Sequence, residues 1–118
     1  MKIEKPTPEA IALLKKLTPK DPRVEVRLVF GNPAAFVQGN MFMGVYGSKL
    51  FFRLSVADLE LGGSLPGAGP FEPMPGHAMS GYLALPTEIL DQPKVAREWV
   101  GRALRFGAQL PEKKRKGR

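Results

Sequence analysis

A chain of 118 residues with 43% hydrophobic and 25% charged side chains has the size and balance of one globular domain. At that size it buries about 65% of its unfolded surface and needs no metal or disulfide staple. The absence of cysteine excludes disulfides, thiolate nucleophiles and Cys-ligated zinc. No apolar run approaches the roughly 20 residues of a bilayer span, and the amino terminus lacks a basic-then-apolar signal pattern, so a cytoplasmic domain without membrane attachment is expected.

Thr7-Pro8-Glu9 reads as a helix start, with a hydroxyl cap, proline in the first turn and an acid against the positive end of the dipole. Ala10, Ile11, Leu14 and Leu17 then follow at helical spacing until Pro19 and Pro22. From Val24 the period becomes two, with Val24, Val26, Leu28 and Phe30 on one side and Glu25 and Arg27 on the other, the pattern of a half-buried strand. Ala34 to Val37 leads through Gln38-Gly39-Asn40 into Met41 to Tyr46, and Gly47-Ser48 leads into Lys49 to Leu54. Short Gly-containing connections between β-prone runs predict an antiparallel meander.

Ser55 to Leu61 reads as a short helix whose start carries a capping box, with Asp58 in place of glutamate. Residues 64–76 are a Gly/Pro-rich loop in which Phe71 to Met74 suit an edge strand, and Ala78 to Leu85 reads as a further strand. Asp91, placed to cap or charge a helix start, precedes a final helix over about residues 92–109 with the core stripe Ala96, Trp99, Val100, Ala103, Leu104 and Gly107. The expected fold is a two-layer α+β domain over residues 1–110, with an antiparallel sheet of about five strands and helices on one face in the order α-β-β-β-α-β-β-α. Both alternating faces of Met41 to Tyr46 and of Leu50 to Phe52 are apolar, so the face away from the helices also needs a cover. A second copy of the chain is the simplest candidate, and a homodimer is the expectation.

The net charge of +7 is unevenly placed: the seven residues from Glu112 hold five of the 18 basic side chains and one of the 11 acidic ones. Residues 111–118 therefore read as a basic, disordered tail. Lys94, Arg97, Arg102 and Arg105 on the last helix, together with Lys113, Lys114, Arg115, Lys116 and Arg118, form a candidate phosphate-binding surface, non-specific and salt-dependent. The same block also serves as a solubilising end. Neither a helix-turn-helix pattern nor an RNA-binding aromatic signature accompanies it. Phe51 and Phe52 lie between Lys49 and Arg53, but one of the two must face the core, which argues against a base-stacking platform.

Catalytic motifs are missing, and no catalytic, cofactor-binding or metal-ligating residue is assigned. His77, the single histidine, has Met74 and Met79 nearby, which suits a copper site less well than a loop histidine beside space-filling methionines. A ligand pocket between the sheet and the loop of residues 62–76, near His77 and Tyr82, is the remaining small-molecule candidate. Arg27 and Arg53, on strands, are expected to pair with Glu25 or another acid.

The ordered stretches Arg27 to Gly31, Ala35 to Phe42, Lys49 to Leu54, Pro70 to Met74 and Tyr82 to Pro86, followed by a helix with Trp99, resemble the amino-terminal domain of the TfoX/Sxy family over about residues 5–110. These are bacterial proteins named for competence regulators. The resemblance implies a two-layer fold with a topology like type III secretion chaperones, and it supplies no catalytic residues. The family's regulators are thought to act with a transcription activator and carry a second, carboxy-terminal domain. Here a basic tail follows instead, and Asn32-Pro33 replaces the family's Gly-rich continuation, so a stand-alone copy is expected. The expected role is a non-enzymatic regulator or adaptor with an unidentified protein partner. Weak nucleic-acid association and small-molecule binding are the alternatives.

Overall fold

The computed structural model describes residues 5–29, 31–73 and 76–113. Helix α1 (Pro8–Leu17) opens on Thr7, whose hydroxyl accepts from the Ala10 N–H at 3.1 Å, while the Thr7 N–H donates to the Gly47 carbonyl at 2.9 Å. Strands β1 (Val24–Val29), β2 (Asn32–Val37), β3 (Asn40–Tyr46) and β4 (Lys49–Arg53) follow as a meander joined by two-residue turns. At the β2–β3 turn both Gln38 (φ 52°) and Gly39 (φ 81°) are left-handed, as the twist of a tight hairpin requires.

Helix α2 (Val56–Gly62) is capped by Ser55, whose hydroxyl accepts from the Asp58 N–H. Two-residue β5 (Gly69–Pro70) and β6 (Tyr82–Pro86) complete a six-stranded antiparallel sheet in the order β1-β2-β3-β4-β6-β5. A one-turn α3 (Thr87–Leu90) and the long α4 (Pro93–Gln109) close the chain. The fold is the expected α+β arrangement, with β2 a full strand of its own, so that four strands precede α2. The last long strand starts at Tyr82 and not at Ala78, because Gly81 is left-handed (φ 88°) and cannot extend it. Asp91 is the C-cap of α3 and does not cap α4, whose N-cap is Gln92.

The helix-side face carries the core. Register aligns Val26, Ala35, Met43, Phe52 and Leu83 across the sheet, and Ala10, Leu13 and Leu14 of α1 and Ala96, Trp99, Val100 and Ala103 of α4 pack over it. A bulge in β3 concentrates this core. Met43 opposes Ala35 and Met41 opposes Phe36, so Phe42 is the extra residue, and Phe42 and Met43 are both fully buried. Helix α4 approaches the bulge closely through Gly107, where a Cβ would lie 2.8 Å from Val37 Cγ1 and 3.3 Å from Phe42 Cβ.

The opposite face is covered in large part by the chain itself. Ala34, Gly44, Phe51 and Ala84 line up across four strands. The ring of Phe51 lies against Gly44, where a side chain would collide with it. Phe71, expected in an edge strand, instead turns back from β5 and stacks on Phe51 with ring centres 4.0 Å apart and planes 9° apart. Tyr46 and Tyr82 meet Phe71 edge-on at 5.3 and 5.8 Å. Phe71 is 6% exposed and Phe51 is 4% exposed, so the middle strands are covered on both faces.

Candidate functional site

Three regions bear on function: the cations of α4 and the carboxy-terminal segment, the cleft beside Phe71, and the β1 edge. Among the cations, Lys94, Arg97 and Arg105 are exposed on the outer side of α4. Arg102 is engaged elsewhere. Its guanidinium donates to Glu98 at 2.6 Å and to Asp58 of α2 at 2.5 Å, and it lies 5.1 Å from the centre of the Trp99 ring. Hydrogen bonding to Glu98, with the Asp58 carboxylate beside it, raises the Arg102 pKa above its already high ordinary value. Asp58 therefore both begins α2 and ties it to α4, a contact between residues 44 apart in sequence.

Lys113 lies beyond the far end of α4, a helix about 25 Å long. There the chain folds back: the Lys113 N–H donates to the Gln38 carbonyl at 2.8 Å, and the Asn40 amide donates to the Pro111 carbonyl at 3.0 Å. The start of the expected tail is thus anchored on the β2–β3 turn, where Lys113 sits near Arg23, Glu25 and Arg27. Lys113 and Lys94 are at opposite ends and do not share one patch. Lys114, Arg115, Lys116 and Arg118 lie outside the described residues.

The second region is an apolar cleft of about 310 Å³ between the far face of the sheet and the returning loop, lined among others by Val29, Asn32, Met41, Phe51, Phe71 and Met79. It lies where a pocket was expected but on other residues. His77 is exposed and does not line it, whereas Met79 does. Tyr82 packs behind Phe51 and Phe71, its hydroxyl 3.4 Å from the Met41 carbonyl. Burial pushes the Tyr82 pKa above 10, with Arg53, 5.8 Å from its ring centre, opposing the shift. Met74 lies outside the described residues. Among the described residues, no three of His, Cys, Asp or Glu are grouped to hold a metal ion.

The third region was not read from the sequence as a site. Val26 and Leu28 lie on the helix-side face, yet they are 54% and 72% exposed because the helices stop short of β1. Beside them an open, mostly apolar trough runs along Leu14, Pro19, Pro22, Val24, Val26 and Pro33. On the other face of β1, Arg27 pairs with Glu25 at 3.2 Å and stacks 4.5 Å from the centre of the Phe36 ring. Just before the strand, Asp21 accepts from the Arg23 side chain and backbone N–H, which holds its carboxyl at about 2, well below 3.8.

Fold and surfaces together define an α+β domain with an open antiparallel sheet, one face under helices and the other under its own aromatic flap. The family model of the TfoX N-terminal domain matches residues 13–107, and the chain belongs to that family. The match runs from within α1 through the whole sheet to within the last turn of α4. No curated protein matches the chain significantly. Among the described residues, no helix is long and apolar enough to cross a membrane.

Proposed function

We propose that this TfoX N-terminal domain is a non-enzymatic adaptor or regulator of the cytoplasm that works through protein contacts, including contact with a second copy of itself. The observation that carries this reading is the β1 edge, where Val26 and Leu28 are large apolar side chains left open along a strand edge that is unpaired among the described residues. Exposed apolar surface next to a free edge is the ordinary substrate of protein pairing. The α4 cations fit a nucleic-acid role less well, since Arg102 is neutralised by two carboxylates and Lys113 lies apart from Lys94.

Affinity purification of the tagged chain from its native host, with and without nuclease, tests this. Partners that persist after nuclease treatment, and that are lost with Leu28→Lys, are the expected result. Partners lost on nuclease treatment would replace the reading with nucleic-acid association. The apolar cleft at Phe71 favours a second reading, an apolar small ligand, since about 310 Å³ is within the size range of ligand sites. Native mass spectrometry of protein purified from its host would reveal a bound molecule there.

A further inference from the structure

The two edges of the sheet differ in a way that selects a partner. At one end β5 is two residues long and includes Pro70, which has no N–H to donate, so that edge is protected against pairing. At the other end β1 is six residues long, contains neither proline nor lysine, and among the described residues pairs on one side only.

The groups that face outward follow from the hairpin register. Val29 and Asn32 close a two-residue turn and are hydrogen-bonded partners, so Arg27 and Glu25 also bond inward, to Ala34 and Phe36. The peptide groups of Val26 and Leu28 point away from the sheet. Pro33 fits this assignment, because it sits opposite Leu28, where β1 asks for no N–H. The Val24 N–H is already held by the Asp21 carbonyl at 2.9 Å, which leaves the Val24 carbonyl facing out.

Resting on the protein-contact reading above, we infer that the β1 edge pairs antiparallel with β1 of a second copy about a twofold axis at Val26. The side chains are self-complementary in that register. Val24 falls opposite Leu28 of the second copy on the helix-side face, and the two Val26 side chains meet at the axis. Glu25 falls opposite Arg27 of the second copy on the other face, so each acid meets a base and no like charges oppose.

The backbone matches as well. The two Val26 residues exchange hydrogen bonds across the axis, and on each side the Leu28 N–H reaches a Val24 carbonyl. Leu28 moves from solvent to the neighbourhood of the trough at Val24 and Pro22. The two six-stranded sheets become one continuous sheet, and the edges that remain exposed are the short, proline-bearing ones.

The chain has no cysteine, so single cysteines report the register directly. Hydrogen-bonded antiparallel partners have Cα atoms about 5.5 Å apart, inside the range a disulfide spans. Val26→Cys is expected to give an intermolecular disulfide under mild oxidation. Leu28→Cys is not, because in this register the two Leu28 residues are offset by four residues, about 13 Å along the strands, well outside the range a disulfide spans. A mixture of Val24→Cys and Leu28→Cys is expected to yield the mixed disulfide.

Sedimentation of the wild type should approach twice 12.9 kDa as concentration rises, and Leu28→Lys should stay at 12.9 kDa with an unchanged circular dichroism spectrum. A wild type that remains at 12.9 kDa throughout, or a dimer in which Val26→Cys does not cross-link, overturns the inference. A monomer that still retains nuclease-resistant partners through Leu28 would overturn only the self-pairing. Loss of those partners as well would overturn the adaptor reading.

Discussion

Replacing Phe71 by alanine tests whether the flap closes the sheet or merely rests on it. The side chain is 6% exposed, stacks on Phe51 and meets Tyr46 and Tyr82 edge-on. Burial of a phenylalanine in a closed site makes truncation cost about 3–5 kcal/mol, part of it from ring contacts worth about 0.5–1.5 kcal/mol per pair beyond area. The flap lies at the surface and relaxes after truncation, so a loss of about 3 kcal/mol is expected. For a domain of this size that lowers Tm by about 10 °C. Phe71→Leu keeps most of the volume and loses the stacking, and about 1 kcal/mol is expected. Urea unfolding followed through Trp99, the single tryptophan and buried on the opposite face, measures both. A loss below about 1 kcal/mol for the alanine variant would mean that Phe71 does not cover Phe51 in solution.

Helix α4 supplies a paired test of its glycines. Gly107→Ala should destabilise by about 1–2 kcal/mol, because the new methyl meets Val37 and the Cβ of Phe42, neither of which yields without moving the sheet. Gly101→Ala should stabilise by up to about 1 kcal/mol, since its methyl meets only the flexible end of Arg105 and the helix gains propensity. A double-mutant cycle of Asp58→Asn and Arg102→Ala should give a coupling of about 1 kcal/mol that weakens with salt, as expected for a pair that keeps some contact with water. The Tyr82 pKa is raised in the folded state, so the folded protein holds that proton more tightly than the unfolded chain does. Stability from Tyr82 is thus complete below pH 10 and falls as pH rises above it, and melts between pH 8 and 11 should show this fall lessened in Tyr82→Phe.

Local chemistry made most of the elements legible. The Thr7 and Ser55 caps, the prolines after α1 and the change of period at Val24 act within a few residues, and each appears in the structure where the sequence places it. What was not legible depends on contacts made across the fold. Phe71 looks like an edge-strand residue until the bend after Pro70 carries it over Gly44, whose missing side chain makes room for the ring beneath. The Asp58–Arg102 pair joins residues 44 apart and leaves no periodic trace. The cation candidates were legible as a list but not as a surface, because the reversal at Pro111 follows from hydrogen bonds to Gln38 and Asn40.

The same long-range packing shifts where contact surface is to be found. The sequence calls for a cover over both faces of the middle strands, and a second copy is a natural way to supply the far one. Phe71 supplies much of it from within, leaving the cleft beside it as the open part of the far face of β3 and β4. The apolar alternation of β1 is nevertheless that of a strand with a buried side, and α1 and α4 lie over β2 to β4, so that of β1 Val24 packs against the core while Val26 and Leu28 stay open. Val26 and Leu28 are then apolar for a reason that the described residues of the single chain do not satisfy. Their burial needs a strand beside β1 with its own apolar residues at the same period and with charges opposite to Glu25 and Arg27. A strand of this chain with that pattern is β1 itself, read in reverse.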